Sequence, residues 1–368
     1  MARLTRHAVP RLVDACVAVV CVCAVVGCTA PPSARPSPAE LVQADLDGRL
    51  SAVEVPESLR AVLIDQHGTP VLAQYFSSTP EDAWDVQSVT KSVTSTLVGI
   101  AIDRGLVPGV DATLGELLPD YSAYLNADTA RIRLSAVLTD TANFVDDPAV
   151  IARGVTTDWV AAILEARAAE GRGMGSFRPS SHGAHILAAV VAEATGMSPL
   201  AFARETLFEP LEIDSVPAPT ERLGVDAATI SRRDQAAEAP AWPADPQGIN
   251  VGNDQLRLRP AELMHLGQLF LDDGDWRGLD VVSTSWVEAA TSSQARTTMY
   301  GSMSFGYQWW VDAARGQFAA LDDGGTVILV DRRKDAVAVI ATEALGSSGL
   351  PSAQALALAQ TLLEDLPG

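Results

Sequence analysis

The chain has 368 residues, with 26 Lys and Arg against 46 Asp and Glu and a formal net charge of −20. So acidic a balance argues against nucleic acid and anionic membrane surfaces as charge-driven partners, because phosphate recognition relies on a basic face. The length admits one large domain of mixed class, or two interleaved subdomains, around a substantial core.

Residues 1–27 read as a targeting segment. Arg3, Arg6 and Arg11 form a basic start, and Ala15 to Val26 an apolar run with Asp14 at its edge. That run is too short for a membrane span of roughly 20 residues. Val25-Val26-Gly27-Cys28 resembles the lipobox of bacterial lipoproteins, which implies a signal peptide over 1–27 and lipid on Cys28. The expected location is then the outer face of the bacterial cytoplasmic membrane, with the lipid as membrane partner; a plain secretory signal is the competing reading. Cys16, Cys21, Cys23 and Cys28 are the only cysteines, so a chain matured at Cys28 forms no internal disulfide and no cysteine metal site. Residues 28–45 read as a tether, with four prolines between Thr29 and Pro38 and no periodicity. Residues 46–368 are expected to form the folded domain.

Leu59 to Asp65 and Val71 to Phe76 are β-type runs joined by Gln66-His67-Gly68-Thr69-Pro70, a hairpin with His67 solvated at its tip. The next stretch, Asp85 to Lys91, runs into a segment with Val89, Val93, Leu97, Ile100 and Ala101 at helical spacing, ended by Gly105 and Pro108. A helix beginning at Ser88 sets Ser88 and Lys91 one turn apart on the same side, so an amine can lie beside a hydroxyl. A serine hydroxyl is a poor nucleophile until a neighbouring base takes its proton. An N-cap serine followed by a solvated lysine is the bland alternative. Composition weighs against it: the chain uses 24 Arg and only two Lys, Lys91 and Lys334. Lys334 lies in a charged turn, Asp331 to Asp335, and only lysine can give up its proton to serve as a base.

From there to about residue 275 the pattern is mostly helical. Thr157 or Asp158 caps a segment through Ala169. A helix runs from His182 to Thr195 and stops at Gly196. Ser198-Pro199 opens another to Phe208, and Pro260 opens one through Phe270 to Gly274. Val216 to Gly248, rich in proline, charge and alanine, reads as a loop excursion. Gly306 to Val311, Gln317 to Leu321, Thr326 to Val330 and Ala336 to Ala341 suggest an antiparallel meander, covered by a last helix from Ser352 to Leu366. The fold expected is α/β: an antiparallel sheet from both chain ends, flanked by helices, with an inserted mostly helical subdomain. His182 and His185 lack acidic or cysteine partners nearby in sequence, so no metal site is expected, and His265 reads as a packed or surface residue. The aromatic run Phe305 to Trp310 is compatible with a ligand cleft or with alternating strand burial.

This order, with Trp84-Asp85-Val86-Gln87-Ser88-Val89-Thr90-Lys91-Ser92, Leu207 to Leu211, Leu256 to Pro260, Gly267-Gln268-Leu269 and Gly306-Tyr307-Gln308-Trp309-Trp310, resembles the serine β-lactamase and penicillin-binding-protein superfamily. The likeness is to its class C-type branch, with the esterases, D-aminopeptidases and 6-aminohexanoate-dimer hydrolases. It implies a β-lactamase/transpeptidase-like fold, a serine acyl-enzyme with Ser88 as nucleophile and Lys91 as base, and no cofactor. Two motifs depart from the family. Where relatives carry Phe-x-Tyr-Ser-Asn, this chain has Phe177-Arg178-Pro179-Ser180-Ser181-His182-Gly183. Pro179 cannot carry the proton that the tyrosine carries, leaving Ser180 or Ser181 as substitute shuttles. Where relatives carry Lys-Thr-Gly or a His/Gly variant, this chain has Asp322-Asp323-Gly324-Gly325, and Gly325 N–H with Ser88 N–H is the expected oxyanion hole. Relatives also tend to show Thr-His-Thr-Ser-Gly where this chain has Thr139-Asp140-Thr141-Ala142-Asn143. The function expected is an impaired serine hydrolase acting on a neutral or cationic ester or amide, small-molecule or peptide, and not on β-lactams. The alternative is a catalytically inactive lipid-anchored binding protein on the same scaffold.

Overall fold

The computed structural model describes residues 56–147, 149–150, 158–170, 175–214, 242–301, 303–343 and 349–367, with 37, 40, 41, 43–45 and 48 before them. The signal segment, Cys28 and most of the tether lie outside these residues, as does most of the expected excursion, 215–241.

Seven strands, β1 (Leu59–Gln66), β2 (Thr69–Tyr75), β7 (Ser304–Phe305), β8 (Trp310–Asp312), β9 (Gln317–Leu321), β10 (Val327–Asp331) and β11 (Ala336–Thr342), form one antiparallel sheet in the order β2-β1-β11-β10-β9-β8-β7. Two short pairs, β3 (Trp84–Asp85) with β4 (Arg257–Leu258) and β5 (Asp275–Trp276) with β6 (Leu279–Asp280), lie outside it. The two ends of the domain meet where Val62 pairs with Ile340 and Leu63 with Val339. The β1–β2 turn is tighter than expected, two residues, with His67 at φ 52° and Gly68 at φ 67°. Such left-handed pairs match the twist of the strands they join. His67 holds the Asp335 carboxylate at 2.7 Å in the open.

Side chains alternate across the sheet. Val327, Leu329, Ala338 and Ile340 pack in one cluster with Leu356 and Leu362 of the last helix, α7 (Ser352–Glu364). Ile328, Val330, Val337 and Val339 share the other cluster with Leu263 and Leu266 of α5 (Pro260–Leu271). That larger cluster runs into the helical block, which holds α1 (Val89–Asp103), α2 (Leu134–Leu138), α3 (Trp159–Glu170) and α4 (Ser181–Thr195). The short α6 (Thr284–Ala290) contributes Trp286 and Val287 to the same cluster.

Helix α1 is buried on nearly every side, and its hydroxyls tie it in place. Ser92 Oγ donates to Gln308 O (2.7 Å), Ser95 Oγ to Tyr307 O (2.8 Å) and Thr94 Oγ1 to Gly252 O (2.8 Å). The 306–309 segment that Ser92 and Ser95 hold is a turn and not the strand its aromatic run suggests. Gln308 sits at φ 62°, and a Cβ on Gly306 would lie 1.9 Å from Ala290 O. Close backbone approach and a left-handed residue break the extended pattern.

Candidate active site

Asp85 ends β3 (Trp84–Asp85), which pairs with β4 (Arg257–Leu258). Its Oδ1 accepts the Gln87 N–H (2.8 Å) and the Gln255 N–H (3.0 Å). This forces a sharp turn in which Gln87 takes φ 46°, and Ser88 follows as the N-cap of α1. The Ser88 side chain makes no capping hydrogen bond, so its hydroxyl is not engaged by the helix it starts. The bland alternative for this serine therefore loses its support. Ser88 and Lys91, both half-buried, line one cavity of about 210 Å³.

Asp140 lines the same cavity. It lies just past α2 at φ 50° and is 4% exposed. Its Oδ1 accepts Gln308 Nε2 (3.0 Å) and its Oδ2 the Ser180 N–H (3.3 Å). Burial pushes its carboxyl up to about 7, opposed by the Lys91 charge and these two hydrogen bonds, and aided by the charge of Asp146. Sequence reasoning missed this residue as a site candidate; the one available signal was a carboxyl standing where relatives tend to carry histidine.

Pro179 lines the cavity, and neither Ser180 nor Ser181 does. Ser180 Oγ caps α4, accepting the Gly183 N–H (2.9 Å) and donating to Asp146 Oδ1 (3.1 Å). Asp146 also takes the Ser181 N–H (2.7 Å) and the His182 N–H (2.9 Å). The helix start thus claims the Ser180 hydroxyl, and neither of the two serines expected as substitute shuttles is among the residues that line the cavity.

The oxyanion-hole expectation also changes. Gly325 N–H donates to Asp322 O (3.1 Å) inside the β9–β10 turn, where Gly325 sits at φ 97°. The Gly324 N–H donates to the Asp322 carboxyl (2.7 Å), and the Ser88 N–H is close enough to the same carboxyl to favour its charged form. A Cβ on Gly324 would lie 2.8 Å from both Asp322 Oδ2 and Gln87 Nε2. The chain's own acid therefore occupies the Gly324 donor beside the start of α1. Burial pushes Asp322 up to about 7 against the two N–H bonds, with Asp323 and Asp85 adding to the rise.

Both carboxyls stand above their ordinary value of 3.8. The folded state then holds more protons than the unfolded one between about pH 4 and 7, so stability falls as pH rises through that window. Asp322→Asn removes one such group while keeping an acceptor for the N–H pair. Its advantage over the wild type in thermal unfolding should be small at pH 4 and grow to the order of 2–4 kcal/mol by pH 8.

The histidines have structural partners. His185 Nδ1 accepts the Gly252 N–H (3.4 Å), which leaves Nε2 to donate to the buried Asp245 (3.2 Å), and His265 Nδ1 donates to Leu211 O (2.8 Å). Among the described residues no group of three or more His, Cys, Asp and Glu is placed to hold a metal ion.

A family model described as Beta-lactamase matches residues 54–362. The 6-aminohexanoate-dimer hydrolase of Paenarthrobacter ureafaciens is 25% identical over 321 residues, covering 80% of this chain and 74% of that protein. Among solved structures, the octameric penicillin-binding protein homologue from Pyrococcus abyssi superposes with a TM-score of 0.64 at 15% identity, over 87% of this chain and 76% of that one. The class C beta lactamase from Rhodobacter sphaeroides does so with a TM-score of 0.62 at 16% identity, over 88% and 98%.

Proposed function

The chain belongs to the beta-lactamase family, and from that premise we propose that it is a serine hydrolase cleaving an ester or amide through an acyl-enzyme on Ser88. The observation that carries the reading is the unengaged Ser88 hydroxyl at the start of α1, sharing a cavity with Lys91 and Asp140. Lys91 and Asp140 work as a pair. Burial disfavours the carboxylate, so passing the ammonium proton to Asp140 leaves a neutral acid and an amine able to act as base. Ser88 Oγ bonds to the substrate carbonyl carbon as Lys91 Nζ takes its proton. The bond to the leaving nitrogen or oxygen then breaks, and Asp140 supplies the proton that the missing tyrosine would have carried. Water then attacks the acyl carbon as the Asp140 carboxylate takes its proton, and the bond to Ser88 Oγ breaks as Lys91 gives its proton back to that oxygen, which restores the neutral acid and the amine.

A substrate carbonyl gains the Gly324 donor only by displacing Asp322, so turnover is slow in the resting arrangement. Carboxylate-bearing ligands, β-lactams among them, meet Asp323 in place of a cation. Like charges a few ångströms apart cost on the order of several kcal/mol when desolvated. The occupied Gly324 donor is also what favours the second reading, a catalytically inactive lipid-anchored binding protein. Export and a lipid on Cys28 at the outer face of the cytoplasmic membrane belong to both readings. They are supported by the basic start, the short apolar run and Val25-Val26-Gly27-Cys28.

Turnover of short p-nitrophenyl esters separates the two. Lys91→Arg keeps the charge but cannot take a proton, and it should fall with Ser88→Ala to the uncatalysed rate, a loss of about 10³ or more. Wild-type turnover no faster than Ser88→Ala would leave only the binding protein.

A further inference from the structure

A second cavity, of about 680 Å³, opens at the other end of the sheet from Ser88. The β9–β10 turn that brings Asp322 to Ser88 lies at one end of β10, whereas the β1–β2 turn and Asp335, just before β11, border this cavity at the other. Its walls come from β1 and β2, from α5 and from the start of the β5–β6 hairpin, and Leu63, Ala73, Tyr75, Met264 and Leu271 make them largely apolar. The opening has a local origin. The β1–β2 ladder shifts register between Ile64 and Asp65, opposite Pro70, which has no N–H to give, so regular pairing is broken there.

Asp65 lines this cavity, half-buried, two residues on from Leu63 and therefore on the face of β1 that packs toward α5. Gln268 Nε2 donates to its Oδ2 (2.5 Å). Among the described residues no cation pairs with this carboxylate: burial pushes it above its ordinary value, and only the Gln268 hydrogen bond opposes the rise. A charge taken from water without a counter-charge is held at a cost that a cation would offset. Arg277 is the only lysine or arginine that lines the cavity, and it is engaged elsewhere. Its guanidinium lies over the Trp276 ring, 4.8 Å from the centroid, and donates to Glu212 Oε1 (2.8 Å). His67 is held by Asp335, and burial keeps His265 toward its neutral form while its Nδ1 donates to Leu211 O. Asp272 adds a further carboxyl to the lining. A cavity of this size with apolar walls and an uncompensated acid suits an amphipathic ion of opposite sign.

We propose that this cavity binds an amphipathic organic amine, with its ammonium on Asp65 and its apolar body between Tyr75, Met264 and Leu271. The site is separate from Ser88, so it stands whether or not the chain hydrolyses esters.

The test uses the full-length protein with isotope-labelled methionine methyl groups, read by NMR, because Met264 lines this cavity and Met299 the one at Ser88. The probes are 4-phenylbutylamine, neutral 4-phenylbutanol and anionic 4-phenylbutanoate. The amine should shift the Met264 resonance saturably and bind about tenfold or more tightly than the alcohol, the scale of one hydrogen bond to a charged group. The anion should give no saturable shift. Asp65→Asn, which keeps an acceptor for Gln268, should bring the amine to within about threefold of the alcohol. Ala73→Phe, at an exposed position, tests the same place without touching the acid: it should fill the cavity and abolish the Met264 shift. Ser88→Ala should leave the binding unchanged. A shift at Met299 alone, equal binding of the three probes, an amine preference unchanged in Asp65→Asn, or a Met264 shift that persists in Ala73→Phe overturns the proposal.

Discussion

Asp322→Ala should acylate Ser88 faster than the wild type, by roughly ten- to a hundredfold, in single-turnover reactions with a p-nitrophenyl ester. One donor in an oxyanion hole is worth on the order of 10²–10³ in rate, and here the Asp322 carboxyl occupies Gly324 N–H and lies close to Ser88 N–H. Emptying their site lets the substrate oxygen take both, less whatever order the β9–β10 turn loses with its side chain. Asp322→Asn is the control. An asparagine oxygen still accepts from Gly324 and Ser88, so this variant should gain far less than the alanine while being the more stable of the two at neutral pH. Equal rates in wild type and a folded Asp322→Ala would mean that the carboxyl does not compete with substrate.

The second large effect is expected at Asp140. Asp140→Asn keeps the hydrogen bond from Gln308 but cannot supply a proton, and general acid help is worth typically 10²–10⁴. The loss should therefore appear in kcat and be larger for anilides and alkyl esters, whose leaving groups need a proton, than for p-nitrophenyl esters, which lose only the acceptor of the Lys91 proton. Asp140 titrates near 7, raised by burial against the Lys91 charge. The active pair holds one proton between Lys91 and Asp140; below that pH Asp140 already carries its own and cannot take the proton Lys91 must lose, so amide cleavage should be lost as pH falls through about 7 and present above it. In Asp140→Asn that ascending limb should vanish. A wild-type profile flat from pH 6 to 8 for anilides would remove Asp140 from the chemistry.

Much of the scaffold was legible because its signals are local. The periodicity from Val89 to Ala101, the Ser198-Pro199 helix start and the Gly196 stop each depend on a few adjacent residues, and each is where the pattern places it. The meander from Gln317 to Thr342 was readable for the same reason, since one register serves a buried sheet. That Ser88 and Lys91 line one cavity followed from one helical turn. What escaped is set by contacts between distant segments. Asp140 becomes a site residue only when α2 is brought against Gln308, 168 positions away. Ser180 is withdrawn by Asp146, whose capping role no spacing announces. The Asp322-Asp323-Gly324-Gly325 turn read as a displaced oxyanion hole because nothing in four letters says which N–H faces its own carboxyl. The aromatic run before Trp310 looked like a strand, and the backbone approach at Gly306 that breaks it comes from α6 and the residue that ends it.

All of the chemistry assumes that Ser88 is open to a reagent and stripped of its proton by Lys91. Treating the protein with a fluorophosphonate at pH 7 and mapping the adduct by peptide mass spectrometry tests this directly. One equivalent on Ser88 is expected, slowed by at least about 10³ in Lys91→Arg. No adduct on Ser88 after prolonged exposure, or labelling unaffected by Lys91→Arg, would contradict it.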